Sequence, residues 1–321
     1  MTKEIGRESK EEMKEKDDIK GEKVIIIGGG PAGLTAAIYL ARAGLDTSVL
    51  IGPEPGGRIT TTSSLENYPG FPESVGGFEY IQKVLKQAEQ FGAKLKYETV
   101  EKVNFEEKPY QVVTATNNYK SSRIIIATGS LAKKLGLEKE KDFVGKGISY
   151  CATCDGALFK NKKVAVVGGG NVALEEANFL TRFASKVYLI HRRDEFRGVK
   201  ILQDRVFNNS DIEILWNSEV RKILGKNQVE GLLIENKEKQ VKEKIKDIRG
   251  LFIAIGYKPK TELFRDYLEL NDKGYIVTNN KQETSKEGIY AAGDVQDSEY
   301  RQAVTASASG AKAAMEITKN L

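Results

Sequence analysis

A glycine-rich segment occurs twice, and that repetition restricts the fold more than any other feature of the chain. Val24–Leu50 reads VIIIGGGPAGLTAAIYLARAGLDTSVL, and Val164–Ile190 reads VAVVGGGNVALEEANFLTRFASKVYLI, at one constant offset and without a gap. Each copy opens with four apolar residues of β type, passes three glycines, continues with apolar residues at helical spacing and closes on a second apolar run. This is strand, tight turn, helix, strand: one βαβ unit in each half. Glycine at the turn lets the backbone bend sharply and approach a pyrophosphate, which then rests on the N-terminus of the following helix. Gly28, Gly30 and Gly33 fill the G-x-G-x-x-G spacing in the first copy, with Pro31 and Ala32 inside it. In the second, Gly168 and Gly170 are followed by Asn171, Val172 and then Ala173, a small residue that the spacing tolerates. One such match is a weak signal; two in register predict two dinucleotide sites. Ile124–Gly129 (IIIATG) and Phe252–Gly256 (FIAIG) echo each other as well, each an apolar strand ending in small residues and a glycine. Two dinucleotides on one chain imply an electron relay, not a binding module.

The remaining composition excludes several classes. At 321 residues the chain has room for two domains. No apolar run reaches the ~18 residues that cross a bilayer as a helix, so no integral membrane protein is expected. The excess of 50 basic over 45 acidic residues gives a net charge of +5. Spread over the whole chain, that is no argument for nucleic-acid binding. Two cysteines and one histidine are too few for a Cys₄ or Cys₂His₂ metal centre or for a disulfide scaffold, and no metal is expected. Residues 1–22 mix both charge signs and lack an apolar signal core; they read as a disordered or frayed extension. Without an export signal the expected compartment is the cytoplasm.

The end of each second strand discriminates between nucleotides, because an acid there would bond an unmodified ribose. The second copy has no acid at that place and runs into His191, Arg192 and Arg193, with Arg197 following. Guanidinium groups crowded together repel one another unless they share an anion, and a ribose 2′-phosphate is that anion, so NADPH is expected. The competing reading is a solvated basic turn partly neutralised by Asp194 and Glu195. His191 fits an orienting or packing role as well. The first copy ends in Ile51 and Gly52, again without the acid; Glu54 in the loop is a possible substitute. Its other signals lie elsewhere in the chain. Gly57 and Arg58 with Thr60–Thr62 make a glycine and hydroxyl loop, and Ala127, Thr128 and Gly129 close a strand. Ile289–Val295 (IYAAGDV) ends a strand on Gly293 and Asp294. Arg301, Gln302 and Ala303 then open a helix over Ala303–Ile317, whose N-terminal dipole suits a flavin anion. A surface helix with ordinary packing is the plainer alternative. These signals predict an FAD site built from both ends of the chain, with the NADPH unit inserted between them.

Both cysteines sit in Cys151-Ala152-Thr153-Cys154-Asp155, shortly before the second βαβ unit. A C-x-x-C pair closes as a disulfide while staying accessible to exchange. Asp155 is either an acid/base for a thiolate or a first-turn helix acid, and the two roles are compatible.

In order along the chain, GGGPAG, GGR with TTT, CATCD, GGGNVALEEA, HRRDEFR and AAGDV followed by RQA closely resemble the low-molecular-weight thioredoxin reductases, class II pyridine nucleotide-disulfide oxidoreductases. The resemblance runs from about Lys23 to the C-terminus. It implies an α/β fold of two Rossmann-like, three-layer ββα nucleotide-binding domains. The FAD domain would be discontinuous, 23–132 and 260–321, and the NADPH domain, 133–259, would carry the redox pair. It adds Asn67 to the FAD set, and Glu176, Ile255 and Gly256 to the NADPH set. It implies that Cys154 is the flavin-proximal sulfur, that Cys151 attacks the thioredoxin disulfide, that Asp155 is the acid/base, and that the protein is a homodimer. Arg58 departs from the family, which usually has glutamine there, and puts a fixed cation beside the flavin site.

A nicotinamide and a dithiol that serve one flavin cannot occupy the same place, so the inserted domain is expected to rotate between the two steps. The crossings fall near Leu131–Leu137 and Gly256–Lys260, where Gly136 and Gly256 suit hinges. A reductase of another thioredoxin-like partner and a non-catalytic flavin redox sensor are the alternatives.

Overall fold

The computed structural model describes residues 24–53, 55–62, 65 and 67–320. The extension at 1–22 and Glu54 lie outside the described residues. The chain runs β1 (Val24–Ile27), α1 (Pro31–Arg42), β2 (Thr47–Leu50), α2 (Gly77–Gln90), β3 (Lys94–Lys96), a meander of β4 (Val100–Asn104), β5 (Tyr110–Thr114) and β6 (Asn118–Ser121), then β7 (Ile124–Ile126). It continues through β8 (Ser130–Ala132), β9 (Ile148–Ser149), α3 (Ala152–Asp155), β10 (Lys163–Val167), α4 (Asn171–Leu180), β11 (Lys186–Ile190), α5 (Lys200–Phe207) and β12 (Ile212–Leu215). A second meander of β13 (Ser218–Leu224), β14 (Gly231–Asn236) and β15 (Val241–Lys246) leads to β16 (Ile248–Ile253), β17 (Tyr257–Pro259), β18 (Ile289–Ala291) and α6 (Ala303–Lys319).

These elements form two compact units. The first gathers the described residues up to Thr60, Phe78–Ser130 and Pro259 onward; the second gathers Thr61–Gly77 and Leu131–Lys258. Segment Thr61–Gly77 therefore groups with the second unit, although sequence reading puts it in the first. It is closed on itself, by a bridge between Leu65 and Val75 and a bond from Gly77 N–H to Thr62 O at 3.0 Å.

In the first unit five parallel strands lie in the order β18-β7-β1-β2-β3. Ile25–Ile27 pair with Ile124–Ile126 on one side and with Ser48–Leu50 on the other. Such strands are apolar throughout because both faces of a parallel sheet are covered. Ile25, Ile27, Ile124 and Ile126 enter one core with Phe105 and Tyr110 from the meander and Phe264. Helix α1 packs on α6 so closely that a Cβ at Gly310 would stand 2.0 Å from Ala32 O. The second unit repeats the plan, in the order β12-β11-β10-β16-β9, all parallel. Alternate residues of β10 serve opposite faces: Val164 and Val166 join α4 in one core, and Ala165 joins the β13–β15 meander in another. The chain passes between units at Ser130–Leu131 and Lys258–Pro259, and the strands that carry it, β8 and β17, pair as a two-stranded sheet.

Candidate active site

Parallel strands bring their C-terminal ends to one edge, and ligands of such sheets bind outside that edge where the chain order reverses. In the first unit Gly28 follows β1, Ile51 follows β2, Ala127 follows β7, and Gly293 lies just beyond β18. The edge is tight where a ligand would need close backbone approach. A Cβ at Gly28 (φ +119°) would meet Ala127 O at 2.2 Å, and one at Gly33 would meet Gly28 O at 2.0 Å. Gly30 caps α1 with no side-chain bond, Pro31 opens it, and no acid lies in its first turn. The N-terminal donors of α1 are thus not taken up by a capping side chain.

Gly293 (φ +75°) donates its N–H to Ser309 Oγ at 2.8 Å, which fixes Asp294 beside the same edge. Arg58 Nη1 donates to Asp294 Oδ2 at 3.1 Å. Burial pushes the Asp294 carboxyl up in pKa, with the Arg58 charge opposing. The departure from the family thus has a partner: Arg58 is ion-paired to the acid of the Gly-Asp motif. Thr128 Oγ1 donates to Lys260 O at 2.8 Å, and Gly129 turns with φ +70°. Gly52 and Gly57 both adopt positive φ, +78° and +64°, in open space. Gln302 and Thr305 form a reciprocal capping box at the start of α6, after Arg301 at φ +51° and before Ala303. Asn67 is exposed and lies in the segment grouped with the second unit.

The second unit builds the same edge. A Cβ at Gly168 (φ +157°) would meet Ala254 O at 2.5 Å, Gly170 has open space, and Gly170 caps α4 without a side-chain bond. Asn171 Oδ1 accepts the Val199 N–H at 2.8 Å and so fastens the loop after β11 to the turn. Partly buried Val172 and buried Ala173 follow on α4. His191 is 4% exposed, its ring lies against Gly169, and its Nε2 is 2.9 Å from Glu195 O. Burial pushes its pKa down, with backbone bonds opposing. His191 thus packs against Gly169 and bonds the Glu195 carbonyl, so it shapes the loop that carries the arginines. Arg192, Arg193 and Arg197 are all exposed, and among the described residues none makes an ion pair, with Asp194 and Glu195 included. Ile255 and Gly256 (φ +101°) extend beyond β16, where Gly256 O accepts the Lys133 N–H at 2.9 Å.

The thiols share that edge, because Cys151 lies just past the C-terminal end of β9. Cys151 and Cys154 form a disulfide with Cα atoms 5.3 Å apart. Cys151 caps the short helix α3, and the N–H groups of Cys154 and Asp155 return to its carbonyl at 3.3 and 3.2 Å. Ser149 bonds Asp155 Oδ2 at 2.6 Å and accepts the Cys151 N–H at 3.1 Å. Burial raises the Asp155 pKa, and the Ser149 bond holds part of the rise back. The bland reading of Asp155 as a helix acid thus coexists with a carboxyl poised to hold a proton. Glu176, placed by sequence with the nucleotide residues, turns to the dithiol, where its Oε1 accepts the Ala152 N–H at 3.3 Å. A carboxylate at the N-terminus of a helical turn is electrostatically favoured, which accounts for that placement. Ser149 is the residue that sequence reading missed. Its only signal was a hydroxyl two positions before the first cysteine.

Among the described residues no cluster is suited to a metal ion, and no helix is long and apolar enough to cross a membrane. A model of the family described as pyridine nucleotide-disulphide oxidoreductase matches residues 22–310. A thioredoxin reductase of Rickettsia conorii is 48% identical over 305 residues, covering 93% of this chain and 98% of its own. A crystal structure of thioredoxin reductase from Streptococcus pyogenes is similar at 38% identity with a TM-score of 0.87, covering 93% of this chain and 97% of that one. The Lactococcus lactis thioredoxin reductase in its FR conformation matches at 36% identity with a TM-score of 0.65, covering 94% of this chain and 100% of that one. With the two repeated βαβ edges and the single C-x-x-C disulfide, these likenesses give the family: the chain belongs to the pyridine nucleotide-disulphide oxidoreductases and, within them, to the thioredoxin reductases.

Proposed function

We propose that this protein is an NADPH-dependent thioredoxin-disulfide reductase that binds FAD on the first unit and NADPH on the second. The observation that carries the reading is the Cys151–Cys154 disulfide, the chain's whole cysteine content, on the same sheet edge as the second glycine turn. The domain limits 23–132 with 260–321, and 133–259, belong to this proposal.

The residues fit both cofactors. For FAD, the backbone cradle at Gly28 and Gly33 leaves no space for a side chain, and the uncapped start of α1 suits a pyrophosphate. Gly293 and Asp294, Ala127–Gly129 and the start of α6 complete that set. For NADPH, Gly168, Gly170 and the uncapped start of α4 suit the pyrophosphate, and three exposed guanidiniums without ion pairs suit the 2′-phosphate. When bound, the two cofactors supply a hydride donor and a two-electron carrier.

The chain's own residues handle sulfur and protons. Two electrons and two protons convert the Cys151–Cys154 disulfide to two thiols. The Cys151 thiolate then attacks the thioredoxin disulfide, forming a mixed disulfide and expelling one thioredoxin thiolate, which takes up a proton. The Cys154 thiolate attacks Cys151 sulfur, restores the intramolecular disulfide and releases the second thioredoxin thiolate. Asp155, raised in pKa by burial and bonded to Ser149, is the residue that holds the proton for these exchanges. Family likeness supports the division of labour between the sulfurs, a homodimer and a cytoplasmic location.

Rotation of the second domain between steps is part of the reading. The support is physical: a nicotinamide and a dithiol that serve one flavin cannot both occupy the place beside it.

The test is spectroscopic and kinetic. NADPH is expected to bleach a flavin band efficiently and NADH poorly, and thioredoxin turnover is expected to vanish in Cys151→Ser or Cys154→Ser. A colourless protein after FAD addition, or full turnover without either thiol, would refute the proposal.

A further inference from the structure

Tyr150, the residue before Cys151, is bonded from two sides. Its hydroxyl donates to Glu140 Oε1 at 3.1 Å, and its carbonyl accepts the hydroxyl of Tyr257. The partners belong to the two stretches by which the chain enters and leaves the second unit. Glu140 is 2% exposed, and its carboxylate also accepts the N–H groups of Leu135, Gly136 and Leu137 at 3.2, 2.8 and 3.2 Å. Four donors thus converge on one buried acid. A buried carboxylate is tolerated only when so satisfied, and withdrawing a donor leaves its charge under-solvated. Burial, followed by the charge of Glu140, pushes the Tyr150 hydroxyl far up in pKa, so it remains a donor.

Gly136 has the left-handed φ of +77° and open space around it, the features of a hinge. Its N–H is nevertheless held by Glu140, so the glycine that sequence reading chose as a hinge is fastened. On the exit side Tyr257 reaches back from β17 to the same residue.

We infer that Tyr150 is a positioning residue for the Cys151–Cys154 pair, with Glu140 and Tyr257 as its anchors, so that both crossings and the dithiol turn move as one body. The inference rests on the reductase reading above. A dithiol that meets one redox partner and then another must arrive at each with small positional error, because misplacement by about 1 Å can lower a rate about 100-fold. Tying the peptide of the attacking cysteine to both crossings transmits a rotation to the sulfurs without slack. The flexing bonds then lie before Leu135 and after Tyr257.

Tyr150→Phe and Tyr257→Phe each delete one hydroxyl and keep the ring, and Tyr257→Phe leaves all four donors of Glu140 in place, so it tests the tie without disturbing the buried acid. Both are expected to lower kcat for thioredoxin reduction by about three- to tenfold, the range for one lost hydrogen bond. KM for thioredoxin and for NADPH should stay unchanged, as should NADPH-driven reduction of ferricyanide, which takes electrons without the thiols. Unchanged kcat in both variants would overturn the inference. So would a parallel fall in the ferricyanide and thioredoxin reactions, which marks a general structural effect. Failure of the unmodified protein to reduce thioredoxin would instead remove the proposed function itself.

Discussion

The two glycine turns use one backbone device and differ in what closes it. In the first, Ile51 follows the second strand and covers Gly29, whose Cβ would fall 2.6 Å from the Ile51 Cβ. In the second, His191 takes the equivalent place and its Cε1 would be 2.2 Å from a Cβ on Gly169. A loop then returns to the covered glycine in both: Gly56 N–H to Gly29 O at 2.9 Å, and Arg197 N–H to Gly169 O at 2.7 Å. The cradle tolerates an aliphatic or an aromatic lid because backbone bonds shape it. On the proposed reading, the choice of ligand falls instead to the loop's side chains. Three exposed arginines stand on the second loop, whereas the described part of the first carries the Arg58–Asp294 pair.

The comparison breaks most visibly if each glycine is filled in turn. Gly28→Val forces overpacking of about 1–3 kcal/mol together with about 1–3 kcal/mol of backbone strain. It should yield protein without flavin, read from the visible-to-ultraviolet absorbance ratio. Gly168→Val should keep the flavin yet lose its reduction by NADPH. Loss of flavin from both variants would mean that the two turns do not serve separate nucleotides.

A smaller effect separates the loops by charge. Replacing Arg192, Arg193 and Arg197 together by alanine should raise KM for NADPH about 100-fold, since charge-assisted bonds contribute about 1.5–3 kcal/mol each and overlap in one site. The NADH reaction should not change. Steady-state kinetics with both donors reads the difference, and an equal loss for both would return the cluster to a solvated turn.

The smallest effect concerns the lids. His191 is the only histidine, and burial lowers its pKa from 6.5. A base depressed in the folded state leaves stability intact above its ordinary value and loses it as pH falls below that value, where the unfolded chain takes up the proton first. The thermal stability of the second unit should therefore fall as pH drops from about 7 to about 5.5, and His191→Asn should reduce that slope. Ile51 gives the first unit no such dependence. A slope unaltered by the substitution would place the titration elsewhere.

Much of this was legible because backbone demands leave a residue signature. Glycine at positions 28 and 168 is required by steric contact with Ala127 O and Ala254 O, and no side chain meets that requirement. The repeated apolar runs gave the parallel strands, and the C-x-x-C gave the disulfide. The role of His191 was only half legible. A basic cluster shows in sequence, but whether its histidine faces solvent or lies under a glycine depends on the register of β11 against β10. Ser149, Glu140, Tyr150 and Tyr257 were illegible, since each acts through a partner fixed by tertiary packing.

The sequence by itself determined the two βαβ units, their order and the redox pair, because periodicity and glycine spacing are local constraints. Tertiary structure alone decided that Arg58 pairs with Asp294, that Glu176 turns to the dithiol and that the Gly136 N–H bonds Glu140. Hydrogen bonds and ion pairs are satisfied in space, between residues as distant as Arg58 and Asp294 or Tyr150 and Tyr257. Sequence periodicity carries no information about which donor will meet which buried acceptor.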